Sequence, residues 1–415
     1  MVPRVQVNFL TVLRNRRYRN LWIGQTISDV GDYFYLLAVP ILINEITGSA
    51  WAIGLAVFFT VTLPGLLFSV PAGALIDRWD RRNVMIVADL ARAGLVLGGL
   101  LVQDAATTQL LWATGFLVGV AGCFFFPAYS ALIPALVNDE ELPAANGLSQ
   151  VTTTIAWAVG PALAGFTIAW LGAPAAFVVD SASFLISAFA IWTIGSVEDA
   201  KLKESGSRVW ASLWVDVKAG LQFVAHNPLV RAVILGMATV QLGLGAANVL
   251  WVPFLTDIYQ AGPGVIGLVD SVQGVGMGLG ALAVGWLAAR ASQARIAALG
   301  FMFTGLSLSL VGVAPNMTFI FIMMLVHGAA FTPARAAVFT LLQQGSPGKT
   351  RGRVFGALGL FTRSAGSVST VLAAGAASLL GIRTVYIVCG GFIILAGFIF
   401  LRVRKVQLPS AVPVE

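Results

Sequence analysis

The chain has very little of the chemistry that soluble enzymes use. Among 415 residues there are two cysteines and two histidines. Cys123 and Cys389 both sit in apolar stretches, so they form neither a disulfide framework nor a metal-binding spacing. His226 and His327 leave almost no material for a metal site, and no metal or organic cofactor is expected. Charge is scarce as well: 10% of residues are charged, against about 25% in an ordinary soluble domain. There is no G-x-x-x-x-G-K-S/T loop, no H-E-x-x-H, no C-x-x-C and no catalytic triad pattern. Direct ATP drive is therefore not indicated, and an enzyme is not expected. The net charge of +7 reads as Lys and Arg gathered in connecting loops rather than as a nucleic-acid footprint.

What the chain has instead is apolar length. Hydrophobic residues make up 58% of it, which is about 240 residues, enough for twelve helices of roughly 20 residues each. The mean hydropathy is +0.88, and a soluble protein of that composition would expose apolar surface it could not cover. Twelve stretches follow one another: 20–46, 51–76, 83–103, 108–137, 144–171, 174–195, 229–257, 264–289, 295–313, 317–342, 353–380 and 382–402. They are too long for barrel strands and lack alternation. The 45 glycines suit helices that approach closely within a bilayer. Arg4, Arg14, Arg16, Arg17 and Arg19 precede the first stretch. That stretch carries Asp29 and Asp32 and has no small-residue cleavage site, so it reads as a first transmembrane helix and not as a removed signal.

The loops give orientation. With the N-terminus inside, the outer connections carry one Lys or Arg, Arg383. The inner side carries the N-terminal arginines, Arg78, Arg81, Arg82, Lys201, Lys203, Arg208, Lys218, Arg290, Arg295, Lys349, Arg351, Arg353, Arg402, Arg404 and Lys405. Both termini are thus expected in the cytoplasm of an inner-membrane, multi-pass protein. The longest connection, 196–228, contains Trp210, Leu213, Trp214, Val217 and Leu221 at helical spacing. It reads either as an interfacial amphipathic helix or as a plain tether. The expected organisation is a six-helix bundle over 1–195, the linker 196–228, a second six-helix bundle over 229–403 and a tail over 404–415. Matching segments support a duplication: Phe126-Pro127-Ala128-Tyr129 with Thr332-Pro333-Ala334-Arg335, and Gly73 to Arg78 with Gly285 to Arg290.

The segment Gly73-Ala-Leu-Ile-Asp77-Arg78-Trp-Asp80-Arg81-Arg82 resembles the loop signature G-x-L-x-D-R-x-G-R-R of the major facilitator superfamily, with Asp80 at the glycine position. Gly160-Pro161-Ala-Leu-Ala164-Gly165 is similar to the G-P-x-x-G-G signature of its proton-coupled antiporters, with Ala164 replacing one glycine. Further segments resemble its bacterial efflux branch of macrolide exporters and the enterobactin exporter. These are Tyr18-Arg19-Asn-Leu-Trp22-Ile-Gly-Gln25, Ser28-Asp29-Val-Gly31-Asp32, Pro127-Ala128-Tyr129, Ala145-Asn146-Gly147, Asp180-Ser181-Ala-Ser183-Phe184 and Arg351-Gly352-Arg353-Val354-Phe355-Gly356. The resemblance implies an all-α integral membrane fold with twelve transmembrane helices in two pseudo-symmetric six-helix bundles. It also implies export of an amphipathic small molecule, driven by the proton gradient. The arginine that the multidrug branch carries in helix four is absent here, and so is the sugar-porter signature after span six. In such a loop Asp77 can face the positive N-terminus of span eleven, and Arg81 can bridge to Asp77 or Asp89. The expected conformational latch is Gly73, Asp77, Arg78, Arg81, Arg82 and Asp89. Gly160, Pro161 and Gly165 form the expected antiporter-like kink, because a helical proline removes a backbone hydrogen bond.

Ionisable groups inside a span are costly and usually functional. Gln25, Asp29 and Asp32 stand at i, i+4 and i+7 and share one helix face. Asp29 lies roughly 15 Å along the helix from Arg19, and Asp32 nearly one turn deeper. Two carboxylates this close repel, which suits one of them to carrying a proton. Asp32, Asp29 and His327 are the proton-coupling candidates, although a lone histidine among apolar residues is also what helix packing produces. Asp180, followed by Ser181 and Ser183, reads as a packing hydrogen-bond acceptor. Gln25, Phe126, Tyr129, Thr153, Trp157, Gln241, Asn248, Trp251 and Arg363 are candidates to line a large, mostly apolar cavity. Arg363 is also placed to meet an anionic part of a substrate or Asp32.

The expected function is secondary active, proton-coupled export by alternating access. Expected partners are a small-molecule substrate and the bilayer, with no nucleic acid and a monomeric chain. The alternatives are an importer or facilitator of a nutrient or lipid, and a non-transporting membrane sensor. The charge asymmetry predicts a labelling pattern. In a variant lacking Cys123 and Cys389, Gly48→Cys reacts with an impermeant thiol reagent added to intact cells and Ser205→Cys does not. Reaction at position 205 reverses the orientation.

Overall fold

The computed structural model describes residues 9–76, 79–197, 222, 224–346 and 351–403, and all regular elements among them are helical. A short helix, Phe9–Arg14, leads into α1 (Arg16–Thr47). Next, α2 runs as Ala50–Val57, a π-turn over Phe58–Thr62, and Leu63–Ile76. Then come α3 (Arg81–Val96), α4 (Gln109–Leu136), α5 (Leu142–Leu171) and α6 (Ala173–Trp192). The remaining helices are α7 (Pro228–Pro253), α8 (Pro263–Arg290), α9 (Gln293–Gly312), α10 (Met317–Gln344), α11 (Arg351–Leu380) and α12 (Ile382–Val403).

Local chemistry sets the ends. Asn15 caps α1 by accepting from the Arg17 and Tyr18 amides, and its Nδ2 donates to the Leu136 carbonyl at 2.6 Å, which ties the start of α1 to the end of α4. Gly48 closes α1 with φ of 59°, a left-handed conformation that favours glycine. Asp80, at the signature's glycine position, accepts from the Asn83 amide at 2.8 Å. The substitution therefore supplies an N-cap for α3. Asn227 and Asn316 cap α7 and α10 in the same way.

Eleven of the described helices are long and apolar enough to cross a membrane. The exception to the twelve expected apolar stretches is α11, which spans 30 residues but carries Arg351, Arg353 and Arg363 together with several Ser and Thr. Large apolar side chains point outward: Leu282 and Leu379 are 83% and 85% exposed. Such a surface is tenable against hydrocarbon and not against water.

The helices form two compact units. The first holds α1–α6 together with Gln260–Ser271, and the second holds the rest of α7–α12. The expected break in the linker thus misses one feature, because the first turns of α8 group with the first unit. Two small contacts explain it: the Ala162 amide donates to Ser271 Oγ at 2.9 Å, and Gly165 faces Gly267 so closely that a Cβ would lie 3.0 Å from its Cα. In the first unit α1 packs on α5 and α6, α3 on α4 and α6, and α2 on α4. In the second, α7 packs on α11 and α12, and α9 on α10 and α12. The pairing repeats after six helices, which is the duplication read from the sequence. The amphipathic stretch around Trp210 to Leu221, and residues 404–415, lie outside the described residues.

One of the close crossings in the first unit is α1 on α6. A Cβ at Gly31 would lie 2.5 Å from Ser183 Cβ and 3.2 Å from an Asp180 carboxylate oxygen. Gly31→Ala is therefore expected to cost about 1–3 kcal/mol and to lower the melting temperature of the purified protein. Gly31→Ala/Ser183→Gly, which removes the opposing Cβ, is expected to recover most of it. An unchanged melting temperature in the single variant refutes the close crossing.

Candidate functional site

The polar face of α1 opens into a cavity of about 380 Å3 within the first unit. Gln25, Asp29, Asp32 and Tyr33 line it from α1. Gln25 Nε2 donates to Asp29 at 2.7 Å, so the i, i+4 pair read from the sequence is a hydrogen bond. Phe125, Phe126 and Tyr129 contribute from α4, and Ser149, Thr152 and Thr153 from α5. The wall is held by bonds between helices: Trp22 Nε1 donates to Thr152 Oγ1 at 2.7 Å, and the Tyr129 and Ser149 hydroxyls lie 3.0 Å apart. The Tyr18 hydroxyl donates to the Ala145 carbonyl at 2.9 Å below them.

Arg92 of α3 also lines the cavity. It is buried and ion-paired with Asp89, one turn earlier on the same helix. The rings of Phe125 and Phe184 both lie 4.3 Å from its guanidinium carbon, a cation–π arrangement in a water-poor interior. Asp29, Asp32, Asp89 and Asp180 are all within electrostatic reach of this one guanidinium. Asp180 is 1% exposed. Its main-chain carbonyl accepts from Ser183 Oγ at 2.8 Å, with the Oδ1 contact long at 3.5 Å, so the packing role read from the sequence falls mainly to the backbone. One guanidinium does not balance four carboxylates in a low dielectric. Charge balance there calls for protons or for a cationic ligand.

The remaining expectations separate. Asp77 and Arg78 lie outside the described residues. Gly73 sits in the last turns of α2. The expected bridge from Arg81 to Asp89 is not formed: Asp89 is taken up by Arg92, which shares its helix face, while Arg81 Nη1 reaches the Ala131 carbonyl at 3.4 Å. Arg82 donates to the Ile191 and Trp192 carbonyls at 3.2 and 2.6 Å, closing the C-terminus of α6. These described contacts all fall inside the first unit. Gly160 and Pro161 are buried, and a Cβ at Gly160 would meet the Tyr33 ring at 2.5 Å. The expected kink thereby seats a wall of the cavity. Trp157 stands edge-on to Tyr33 at 5.7 Å and does not itself line the cavity.

Gln241, Asn248, Trp251, Arg363 and His327 belong to the second unit. Trp251 packs on Phe254 and Tyr386. Asn248 and Arg363 are exposed. His327 is 4% exposed, stacks on Phe331 and lies 3.5 Å from Ser307 Oγ. Its immediate surroundings within the second unit are those of helix packing.

Sequence reading missed Arg92. The signal was present, because Arg92 is the only Lys or Arg between Arg82 and Lys201. Removing it leaves Asp89 as a buried, uncompensated charge, which costs about 3–5 kcal/mol. Arg92→Met is expected to lower the melting temperature in detergent well below that of Asp29→Asn. Equal melting temperatures refute the load placed on the pair.

Comparison with known proteins agrees with this architecture. Residues 8–412 match the family described as transmembrane secretion effector. The uncharacterized MFS-type transporter YfiS of Bacillus subtilis is 27% identical over 407 residues, covering 95% of each chain. Macrolide efflux protein A of Streptococcus pyogenes is 24% identical over 94% of this chain and 96% of its own. Multidrug efflux pump Tap of Mycobacterium tuberculosis is 25% identical over 92% and 91%. Among solved structures, the nucleoside transporter NupG superposes with a TM-score of 0.79 at 13% identity, covering 94% of this chain and 100% of that one. A bacterial homologue of the iron transporter ferroportin gives 0.77 at 18%, covering 94% and 99%. The chain is a membrane transporter and not an enzyme, and it belongs to the transmembrane secretion effector family of the major facilitator superfamily.

Proposed function

We propose that this transporter is a proton-coupled exporter of an amphipathic small molecule, working by alternating access. The observation that carries the reading is the pair Asp29 and Asp32 on one face of α1, opening into an aromatic-walled cavity. Asp32 is the proton carrier and Asp29 an auxiliary group bonded to Gln25. Protonated Asp32 favours one direction of opening and bound substrate the other, so the two ligands act through one conformational equilibrium. The relatives named as macrolide and multidrug efflux proteins put export ahead of import. The lack of a nucleotide loop in the sequence puts an ion gradient ahead of ATP. The Lys and Arg asymmetry of the loops supports an inner-membrane protein with both termini in the cytoplasm.

The test is substrate flux in proteoliposomes under an imposed pH gradient. Asp32→Asn, which mimics the protonated state, is expected to abolish uphill flux and leave downhill exchange at a measurable rate. Asp29→Asn is expected to be milder. Full gradient-driven flux in Asp32→Asn removes the assignment, and uphill accumulation in the opposite direction favours the importer.

A further inference from the structure

Arg92 lines the cavity, yet its charge is not free to meet a ligand. Asp89, which is fully buried and does not itself line the cavity, holds the guanidinium from inside the bundle. Phe125 and Phe184 cover it at 4.3 Å each. What remains facing the cavity is one sign of charge, the carboxylates of Asp29 and Asp32, beside the rings of Trp22 and Tyr33. Arg92 is the one Lys or Arg among the described residues that line the cavity, so an anion here would meet carboxylates and a cation already paired, which is a repulsive selection. A cation would gain a carboxylate in a poorly hydrated pocket and the faces of electron-rich rings.

We propose that the buried Asp89–Arg92 pair sets the charge of the ligand this cavity takes. By spending the guanidinium on Asp89, the fold leaves a wall of carboxylates and aromatics that holds an amphiphile bearing one positive charge. The proposal rests on reading the cavity as the substrate site; it needs neither proton coupling nor a direction of transport. It also assigns Asp89 a role other than the loop latch. When Asp89 loses its charge, Asp32 is within electrostatic reach of Arg92. The guanidinium then turns to Asp32 and cancels a group that would have held the cation.

Tetraphenylphosphonium and tetraphenylborate have closely similar size and shape and opposite charge. Both are titrated calorimetrically into the detergent-purified full chain in mildly alkaline buffer, with size-exclusion profiles as the folding control. Wild type is expected to bind the phosphonium at least about tenfold more tightly than the borate. Asp89→Asn is expected to weaken phosphonium binding about tenfold. Asp89→Asn/Arg92→Gln, which removes both charges of the pair, is expected to regain most of that affinity and to keep the preference for the cation. If Asp89→Asn alone fails to fold, the double variant decides, since it removes both members of the ion pair together.

The proposal is overturned if the borate binds as tightly as the phosphonium, or if neither ion binds. It is equally overturned if folded Asp89→Asn matches wild type, or if the double variant loses the preference for the cation. Phosphonium binding with this dependence on Asp89, in a protein that shows no gradient-driven flux, would sink the export reading and leave the charge selectivity standing. Gradient-driven export without cation preference would do the reverse.

Discussion

A single guanidinium shared among four carboxylates is the constraint on which the first bundle is organised. In water such an imbalance costs little. Between packed helices each uncompensated charge is expensive, so the placement of Arg92 decides which carboxylate is stabilised as an anion. Asp89 takes the direct contact, and two aromatic rings hold the guanidinium in place. Asp29 and Asp32 are left at the cavity wall with weaker compensation, and Asp180 stands behind them at the Gly31 crossing. Asp32 and Asp180 each lie within electrostatic reach of the same arginine and of one another.

That arrangement depends on backbone packing at a few places. Gly31 lets α6 approach α1 closely enough to bring Asp180 and Ser183 against it. Gly160 gives the Tyr33 ring its seat on α5. The Asn15 cap fixes α1 against the end of α4, and Tyr18 and Trp22 bond α1 to α5 along its length. The stripe Gln25, Asp29, Asp32 therefore points in a defined direction because its helix is held along one side by polar bonds and crossed by a small residue.

The sequence made the stripe legible because its spacing of four and seven places three polar side chains on one helix face regardless of context. Phe126 and Tyr129, named among the cavity candidates, line the cavity beside it. The Asp89–Arg92 pair was not. Asp89 was read together with the loop signature that precedes it, and a pair three residues apart on an apolar helix can equally face a lipid, a loop or a core. Only packing shows that Phe125 and Phe184 close over it. Asp80 is the opposite case: its departure from the signature is visible in the sequence, but that its side chain caps the start of α3 shows only in the structure. The boundary of the first unit was hidden because the grouping of residues 260–271 with it comes from glycine and serine contacts that hydropathy does not register.

The two units share one pairing scheme but not one chemistry. Where the first bundle has an acidic stripe on α1, the corresponding helix α7 carries the neutral amides Gln241 and Asn248. The pairing that holds Asp89 and Arg92 on α3 against Phe125 on α4 is matched by α9 and α10, and there Ser307 faces His327 without an ion pair between them. Duplication supplies a repeated scaffold, since helix packing depends on small residues at crossings and those recur in both units. Charge inside a bundle is costly enough to persist only where it does something. Among the described residues the buried ionisable cluster therefore lies in one copy of a repeated fold: the first bundle carries Asp29, Asp32, Asp89, Arg92 and Asp180, and the second repeats the helix pairing without such a cluster.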